Sequence, residues 1–258
     1  MTLTFGSLFA GIGGFDLGFE RAGMQCMWQV EIDPFCQQVL AKHWPNVERF
    51  SDVREVGAHN LGAVDVICGG FPCQDISNAG RRAGITGKRS GLWSEFARII
   101  RELRPRYAVM ENVSALLVRG MGTVLGDLAA CGYDAEWQVL RASDIGATHR
   151  RARIFILAYS KSANGERGNI GPYPRNGIGW GSGSEFNESS IDARTIPPWM
   201  LAGGNWQASE SPVLRVDDGV SNRLDRNRRL KACGNAIVPQ VAEWLGRRIV
   251  EAHEGVLL

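Results

Sequence analysis

The chain has 258 residues, 44% of them hydrophobic and 22% charged, and its 29 basic and 27 acidic side chains leave a formal charge of only +2. This suits one large domain, or one domain carrying a small insert, that can bury a sizeable core. Bulk charge does not mark a nucleic-acid binder, so local clusters have to make that case.

Six cysteines (Cys26, Cys36, Cys68, Cys73, Cys131, Cys233) are scattered without a CxxC pair. That spacing predicts neither a disulfide framework nor a metal site and suits a reducing cytoplasm. The N-terminus runs straight into an apolar stretch without a leader-like segment, and no apolar run approaches a membrane span. The expectation is a cytoplasmic protein with no membrane partner.

Through residues 1–158, short apolar strands alternate with helical stretches, the pattern of a parallel sheet wrapped by helices. Strands are predicted over 3–9, 27–30, 64–68, 107–110, 135–140 and 154–158. Helices are predicted over 15–22, over 34–43 with Pro34 in its first turn, and over 124–131, closed by Gly132. Leu92, Phe96, Ile99, Ile100 and Leu103 recur at helical spacing, so a helix is predicted over 92–103, stopped by Pro105. From 160 to about 222 the chain is rich in Gly, Ser, Asn, Pro and Trp, with seven glycines between Gly165 and Gly183, and sustained periodicity is lost. An amphipathic helix is predicted over 238–252. The pattern reads as one α/β domain with a small insert before its last helix.

The first strand runs into Phe9-Ala-Gly-Ile-Gly-Gly-Phe-Asp16, a glycine-rich turn before the first helix. Glycines there let the backbone approach a ligand closely, and a helix N-terminus favours electron-rich groups. Glu31 follows twenty residues after Gly11, at the end of the second strand, where a carboxylate can accept bonds from both ribose hydroxyls. An adenosine-containing cofactor fits this pair. A nicotinamide cofactor fits it poorly, because Asp16 stands where the third glycine of GxGxxG belongs. Asp52 lies where a third strand would end and could bond an adenine amino group.

Gly69-Gly-Phe-Pro-Cys73-Gln follows the apolar stretch 64–68, so Cys73 is predicted at the carboxyl lip of a buried strand, the edge where ligands gather in open α/β sheets. A structural cysteine is the bland alternative, but core packing gives no reason for Pro-Cys-Gln at a strand end.

Seven motifs stand in order: Phe9-Ala-Gly-Ile-Gly-Gly, Glu31-Ile-Asp33, Gly70-Phe-Pro-Cys73-Gln, Gly91-Leu-Trp-Ser-Glu-Phe, Glu111-Asn-Val, Arg151-Ala-Arg153-Ile-Phe and Gly234-Asn235-Ala-Ile-Val-Pro. Together they closely resemble the DNA cytosine-5 methyltransferases, over roughly two thirds of the chain. The resemblance implies a Rossmann-like catalytic domain, 1–158 with 229–258, that uses S-adenosylmethionine. It also implies a target recognition region at 159–228. Cofactor contacts are implied at Phe9, Gly11, Glu31, Asp52, Pro72, Leu92 and Asn235.

The implied reaction is methyl transfer to carbon 5 of cytosine in double-stranded DNA, on a base flipped out of the stack. Cys73 would add to C6, Glu111 would hold N3 and the exocyclic amine, and Arg151 and Arg153, alternating on one strand, would contact the base carbonyl, Glu111 or a flanking phosphate.

Residues 79–91, with Arg81, Arg82, Lys88 and Arg89, four glycines and no acid, read as a loop closing over a phosphate backbone. Arg228 belongs to a second basic cluster beside the recognition region. That region carries eight basic and eight acidic residues, and its Trp180, Trp199 and Trp206 read as small-domain core.

His149 departs from the family, which usually has glutamine there, and Thr148 stands where proline is common. The enzyme is expected to act as a monomer, of the restriction–modification kind, in a bacterial or phage-infected cell. The rival readings are a cytosine-5 methyltransferase acting on tRNA, a non-catalytic DNA-binding paralogue, and a nicotinamide-dependent dehydrogenase.

Overall fold

The computed structural model describes residues 2–72, 91–145, 151–160, 232 and 234–255. In chain order these form β1 (Thr4–Leu8), α1 (Gly14–Arg21), β2 (Gln25–Val30), α2 (Pro34–His43), β3 (Glu48–Phe50), β4 (Val66–Gly70) and α3 (Leu92–Leu103). There follow β5 (Tyr107–Val113), α4 (Leu116–Arg119), α5 (Met121–Ala130), β6 (Tyr133–Arg141), β7 (Ala152–Ser160) and α6 (Pro239–His253). Short 3-10 turns at Val53–Glu55 and Ala142–Ile145 complete the path.

The seven strands make one sheet in the order β3-β2-β1-β4-β5-β7-β6. β3, β2, β1, β4 and β5 pair in parallel, whereas β7 runs antiparallel to both β5 and β6. The sheet is therefore mixed, not wholly parallel as the strand–helix alternation predicts. The reason is length: residues 142–151 are too few for the crossover that a parallel return from β6 requires. The chain winds outward from β1 in one direction and resumes at β4 on its other side, so the carboxyl ends of β1 and β4 flank a topological switch point.

Side chains alternate across the strands and feed two cores. Leu8, Trp28, Ile67, Met110 and Ile156 pack on one face against α3 and α5, with Phe96, Ile100 and Val124 fully buried. Phe5, Val66, Val109 and Leu157 pack on the other, under Phe19 of α1 and Leu245 and Ile249 of α6.

β4 and β5 run past the apolar pattern at their carboxyl ends, through glycines and polar residues. β4 continues to Gly70 because its glycines admit close neighbours: a Cβ at Gly69 would collide with the Leu8 carbonyl, and one at Gly70 would sit 2.9 Å from Glu111 Oε2. β5 continues through the polar residues Glu111 and Asn112 because β7 lies beside them and pairs their backbone, Glu111 with Phe155 and Asn112 with Ile154.

The last helix locks the first one in place. A Cβ on Gly18 would collide with the Ala242 Cβ and the Pro239 carbonyl, so α1 and α6 approach at backbone distance. We predict that Gly18→Ala lowers the unfolding free energy by about 1–3 kcal/mol through overpacking. Urea denaturation checks this, and an unchanged midpoint would show that the two helices are not so tightly seated.

Candidate functional site

β1 ends at Leu8, and the chain reaches α1 through three residues with positive φ: Phe9 (53°), Gly11 (58°) and Gly13 (85°). For Phe9 the left-handed region costs roughly 1–2 kcal/mol, and such conformations persist where the surroundings over-determine them. At Gly11 a Cβ would meet nothing within 4 Å, so the turn leaves its backbone open to a neighbour. The Gly11 N–H donates to Glu31 Oε2 at 2.7 Å, and the Asp33 N–H donates to Glu31 Oε1 at 2.7 Å. Burial raises the Glu31 pKa, opposed by these backbone bonds. Each oxygen keeps a second lone pair for a hydroxyl donor.

Asp33 serves α2 as N-cap, accepting from the N–H groups of Phe35 (2.9 Å) and Cys36 (3.3 Å). Between the two acids, Ile32 is 64% exposed, an apolar surface at the lip of the cleft. Sequence reasoning passed over it. The available signal was an isoleucine inside a polar strand-to-helix turn, where nothing in the fold would bury it.

Asp52 follows β3 and accepts from the Arg54 N–H at 3.0 Å. The Arg54 guanidinium also grips its carboxylate, at 2.9 Å to Oδ1 and 2.5 Å to Oδ2, and holds its pKa below the usual range. An adenine amino group at Asp52 would therefore share oxygens already engaged. The turn itself hangs from α3: Arg98 donates to the carbonyls of Val53 (3.0 Å) and Val56 (2.8 Å) while paired with Glu95 and Glu102. Leu92 opens the same helix and, like Phe9, packs against the core on that face of the sheet.

At the end of β4, Phe71 is buried against the Trp93 ring, 5.1 Å between centroids, and half-buried Pro72 follows. Asn112 pins this segment, donating from Nδ2 to the Phe71 carbonyl at 3.2 Å while its Oδ1 accepts from the Val113 N–H. Cys73, Arg81, Arg82, Lys88, Arg89, His149 and Arg228 lie outside the described residues.

Glu111 stands one strand away on β5, 8% exposed. Arg153 Nε lies 2.9 Å from Glu111 Oε1 as an ion pair, yet among the described residues Oε1 receives no well-directed hydrogen bond. Burial outweighs the pull of Arg153 and Arg151 and raises the Glu111 pKa to about 7. Arg151 donates to the Ala236 carbonyl at 2.9 Å, and burial with the Arg153 charge beside it lowers its pKa. Glu111, both arginines, Phe155, Ile237 and Val238 line one pocket. Asn235, just before that wall, is exposed.

The structure thus gathers two groups: Phe9, Gly11 and Glu31 at the switch point, and Glu111, Arg151 and Arg153 in the pocket. A buried carboxyl poised near neutrality beside two guanidinium groups can donate or accept a proton without large change in pH. Among the described residues no cluster of His, Cys, Asp or Glu is placed to hold a metal ion, and no helix is long and apolar enough to cross a membrane.

Because its pKa is raised from 4.5 to about 7, Glu111 favours the folded state fully below pH 4.5 and loses that contribution as pH rises towards 7. Asp16, raised from 3.8 to about 6, acts in the same sense at lower pH. We predict that between pH 6 and 7 the wild-type stability falls by about 1 kcal/mol more than that of Glu111→Gln. Urea unfolding at the two pH values checks this, and equal slopes would mean that Glu111 stays ionised.

A sequence model of the C-5 cytosine-specific DNA methylase family matches residues 3–186, well over half of the chain. The chain is 33% identical over 161 residues to the Type II methyltransferase M.BsuFI of Bacillus subtilis, covering 61% of this chain and 39% of that protein. It is 32% identical over 166 residues to M.HhaI of Haemophilus parahaemolyticus, covering 63% and 50%. The aligned parts thus span half or less of these curated relatives. A crystal structure described as a DNA modification methyltransferase encoded within an E. coli prophage superposes with a TM-score of 0.54 at 29% identity, over 63% of this chain and 48% of that one. Seven strands in this order, a glycine turn bonded to Glu31 and a buried Glu111–Arg153 pair meet in a chain that belongs to the C-5 cytosine-specific DNA methylase family.

Proposed function

We propose that this protein transfers a methyl group from S-adenosylmethionine to carbon 5 of cytosine in double-stranded DNA. The observation that carries the reading is Glu111: a carboxyl with a pKa near 7, buried beside Arg153 and one strand from the Phe71-Pro72 segment that leads into Cys73.

The residues at the switch point suit the cofactor. The open backbone at Gly11 admits close approach, and Glu31, with both oxygens oriented by backbone N–H groups, can accept from vicinal ribose hydroxyls. Phe9, Pro72, Leu92 and Asn235 would border the same ligand, with Asp52 toward the adenine. When bound, S-adenosylmethionine supplies an electrophilic methyl group on a sulfonium.

The protein's own part is to make a poor carbon nucleophile into a good one. Cys73, as thiolate, would add to C6 of the cytosine and so place enamine-like electron density on C5. Glu111 would share its proton with N3 and accept from the exocyclic amine, preventing negative charge from accumulating on the ring. Arg153 keeps that carboxyl oriented, and Arg151, anchored on the Ala236 carbonyl, would face the base carbonyl or a flanking phosphate. Loss of the C5 proton to a base then expels Cys73 and restores aromaticity. The loop with Arg81, Arg82, Lys88 and Arg89 would close on the backbone, residues 159–228 would select the sequence, and Arg228 at their end would contact phosphates with its basic neighbours.

The test is bisulfite sequencing of genomic DNA from a methylation-deficient host expressing the wild type or Cys73→Ala. We predict protected cytosines in one short context, lost in the variant, while the variant still binds S-adenosylmethionine. Protection by Cys73→Ala at the wild-type level would refute the covalent mechanism; protection by neither, with methylated tRNA instead, would move the substrate to RNA.

Glu31→Ala should weaken S-adenosylmethionine binding by roughly 10- to 100-fold, the worth of one or two charge-assisted hydrogen bonds. Calorimetric titration measures this, and an unchanged Kd would remove Glu31 from the cofactor site.

A further inference from the structure

Asp16 occupies the position in the glycine-rich turn where a dinucleotide-binding fingerprint has its third glycine, and the chemistry proposed above gives it no part. It is nevertheless fully buried, in the first turn of α1. Its Oδ2 accepts from the Ser7 hydroxyl on β1 at 3.1 Å, and its Oδ1 accepts from the Gln29 amide on β2 at 2.8 Å and from the Cys26 thiol at 3.6 Å. Gln29 in turn accepts from Arg49 at 3.5 Å, and Arg49 also donates to the Trp44 carbonyl at 2.5 Å. Ser7 and Gln29 are register partners. Ser7 stands two residues before Phe9, and Gln29 two residues before Glu31.

We propose that Asp16 is the positioning residue of the cofactor cleft: its carboxylate ties α1 to the ends of β1 and β2 and so holds the Gly11 N–H against Glu31. The inference rests on reading this cleft as the S-adenosylmethionine site. Between Ser7 and Asp16 the chain passes through three positive-φ residues, a path that needs both of its ends fixed. The strand ladder fixes β1 against β2, and α6 seats α1 from its outer side; the Asp16 clamp is what ties the first turn of α1 to the two strands.

The residue type follows from its neighbours. Hydroxyl, amide and thiol are all donors toward this site, so two acceptor oxygens satisfy them together, and the N-terminal dipole of α1 favours the negative charge. Asparagine would turn an NH2 against Ser7 or Gln29, and glycine would leave both buried groups without a partner. The three bonds offset part of the burial that raises the carboxyl to about 6, so it is ionised at neutral pH.

The test is a double-mutant cycle on the full chain, read by calorimetric titration with S-adenosylhomocysteine: wild type, Asp16→Asn, Glu31→Ala and the double variant. A positioning role predicts that Asp16→Asn weakens binding about tenfold in the wild-type background but less than about twofold when Glu31 is already absent, because the Gly11–Glu31 bond it serves is gone. An equal loss in both backgrounds would mark Asp16 as a merely structural group and overturn the proposal, as would no loss at all. Should Asp16→Asn fail to fold, Ser7→Ala removes one arm of the clamp and takes its place in the cycle, with the same pair of outcomes. Wild-type protein that binds no S-adenosylhomocysteine would overturn the reading of the cleft and this inference with it; wild-type binding with an unaffected Asp16→Asn would overturn the inference alone.

Discussion

The bond from the Gly11 N–H to Glu31 is the constraint on which the cleft depends. It joins a turn to the end of the neighbouring strand, so it exists only if β1 and β2 are adjacent and level at their carboxyl ends, as the pairing of Leu8 with Val30 makes them. It also requires the turn to run through the left-handed region, which the two glycines allow and Phe9 tolerates. The packing of α1 on α6 keeps the receiving helix seated. Ile237 contributes directly, since its carbonyl lies where a Cβ on Gly14 would be. A local hydrogen bond thus draws on elements from both ends of the chain.

Three carboxylates, Asp16 and Glu111 buried and Glu31 half-buried, divide the work, and their surroundings separate them. Asp16 is surrounded by neutral side-chain donors, which suits a fixed tie between elements. Glu31 is held by two backbone N–H groups at the rim, which leaves acceptor capacity toward a ligand. Glu111 has instead a guanidinium at 2.9 Å that fails to satisfy Oε1 by a directed bond, and its carboxyl is pushed up to about 7, above the value of about 6 at Asp16. Burial raises all three. What distinguishes the group suited to proton transfer is that its compensation is mainly coulombic and incomplete, so a substrate can supply a further bond.

Periodicity made most of the fold legible. The helix over 92–103 coincides with α3 because five apolar residues at helical spacing face one core. The ends of β4 and β5 were not legible that way, since Gly69 and Gly70 read as turn residues and the apolar run of β5 stops at Met110; they stay in the sheet because Leu8 and β7 lie against them. The same holds for β7, whose reversed direction follows from the shortness of its connection to β6. The motif residues were legible as a set. Their geometry was not: Asp52 is engaged by Arg54, and the burial of Asp16 depends on three side chains from other parts of the sequence. Spacing along a chain does not encode which donors surround a carboxylate.

Residues 234–238 carry the last consequence of this topology. The Ala236 carbonyl accepts from Arg151, Ile237 and Val238 line the pocket of Glu111, and Ile237 also abuts the start of α1. One short segment therefore forms a wall common to the turn at Gly11 and the pocket at Glu111. Arg151 stands at the head of β7, at the edge of the sheet where β5 ends, and its bond to the Ala236 carbonyl ties that strand head to the returning segment. β7 then runs away from this edge, since Tyr159 pairs with Tyr107 at the start of β5. The proposed recognition region would thus leave the sheet at the edge opposite the pocket, and only the segment that follows it meets the pocket wall. A displacement of that segment would act on the Arg151–Ala236 bond, and through it on the positive charge beside Glu111.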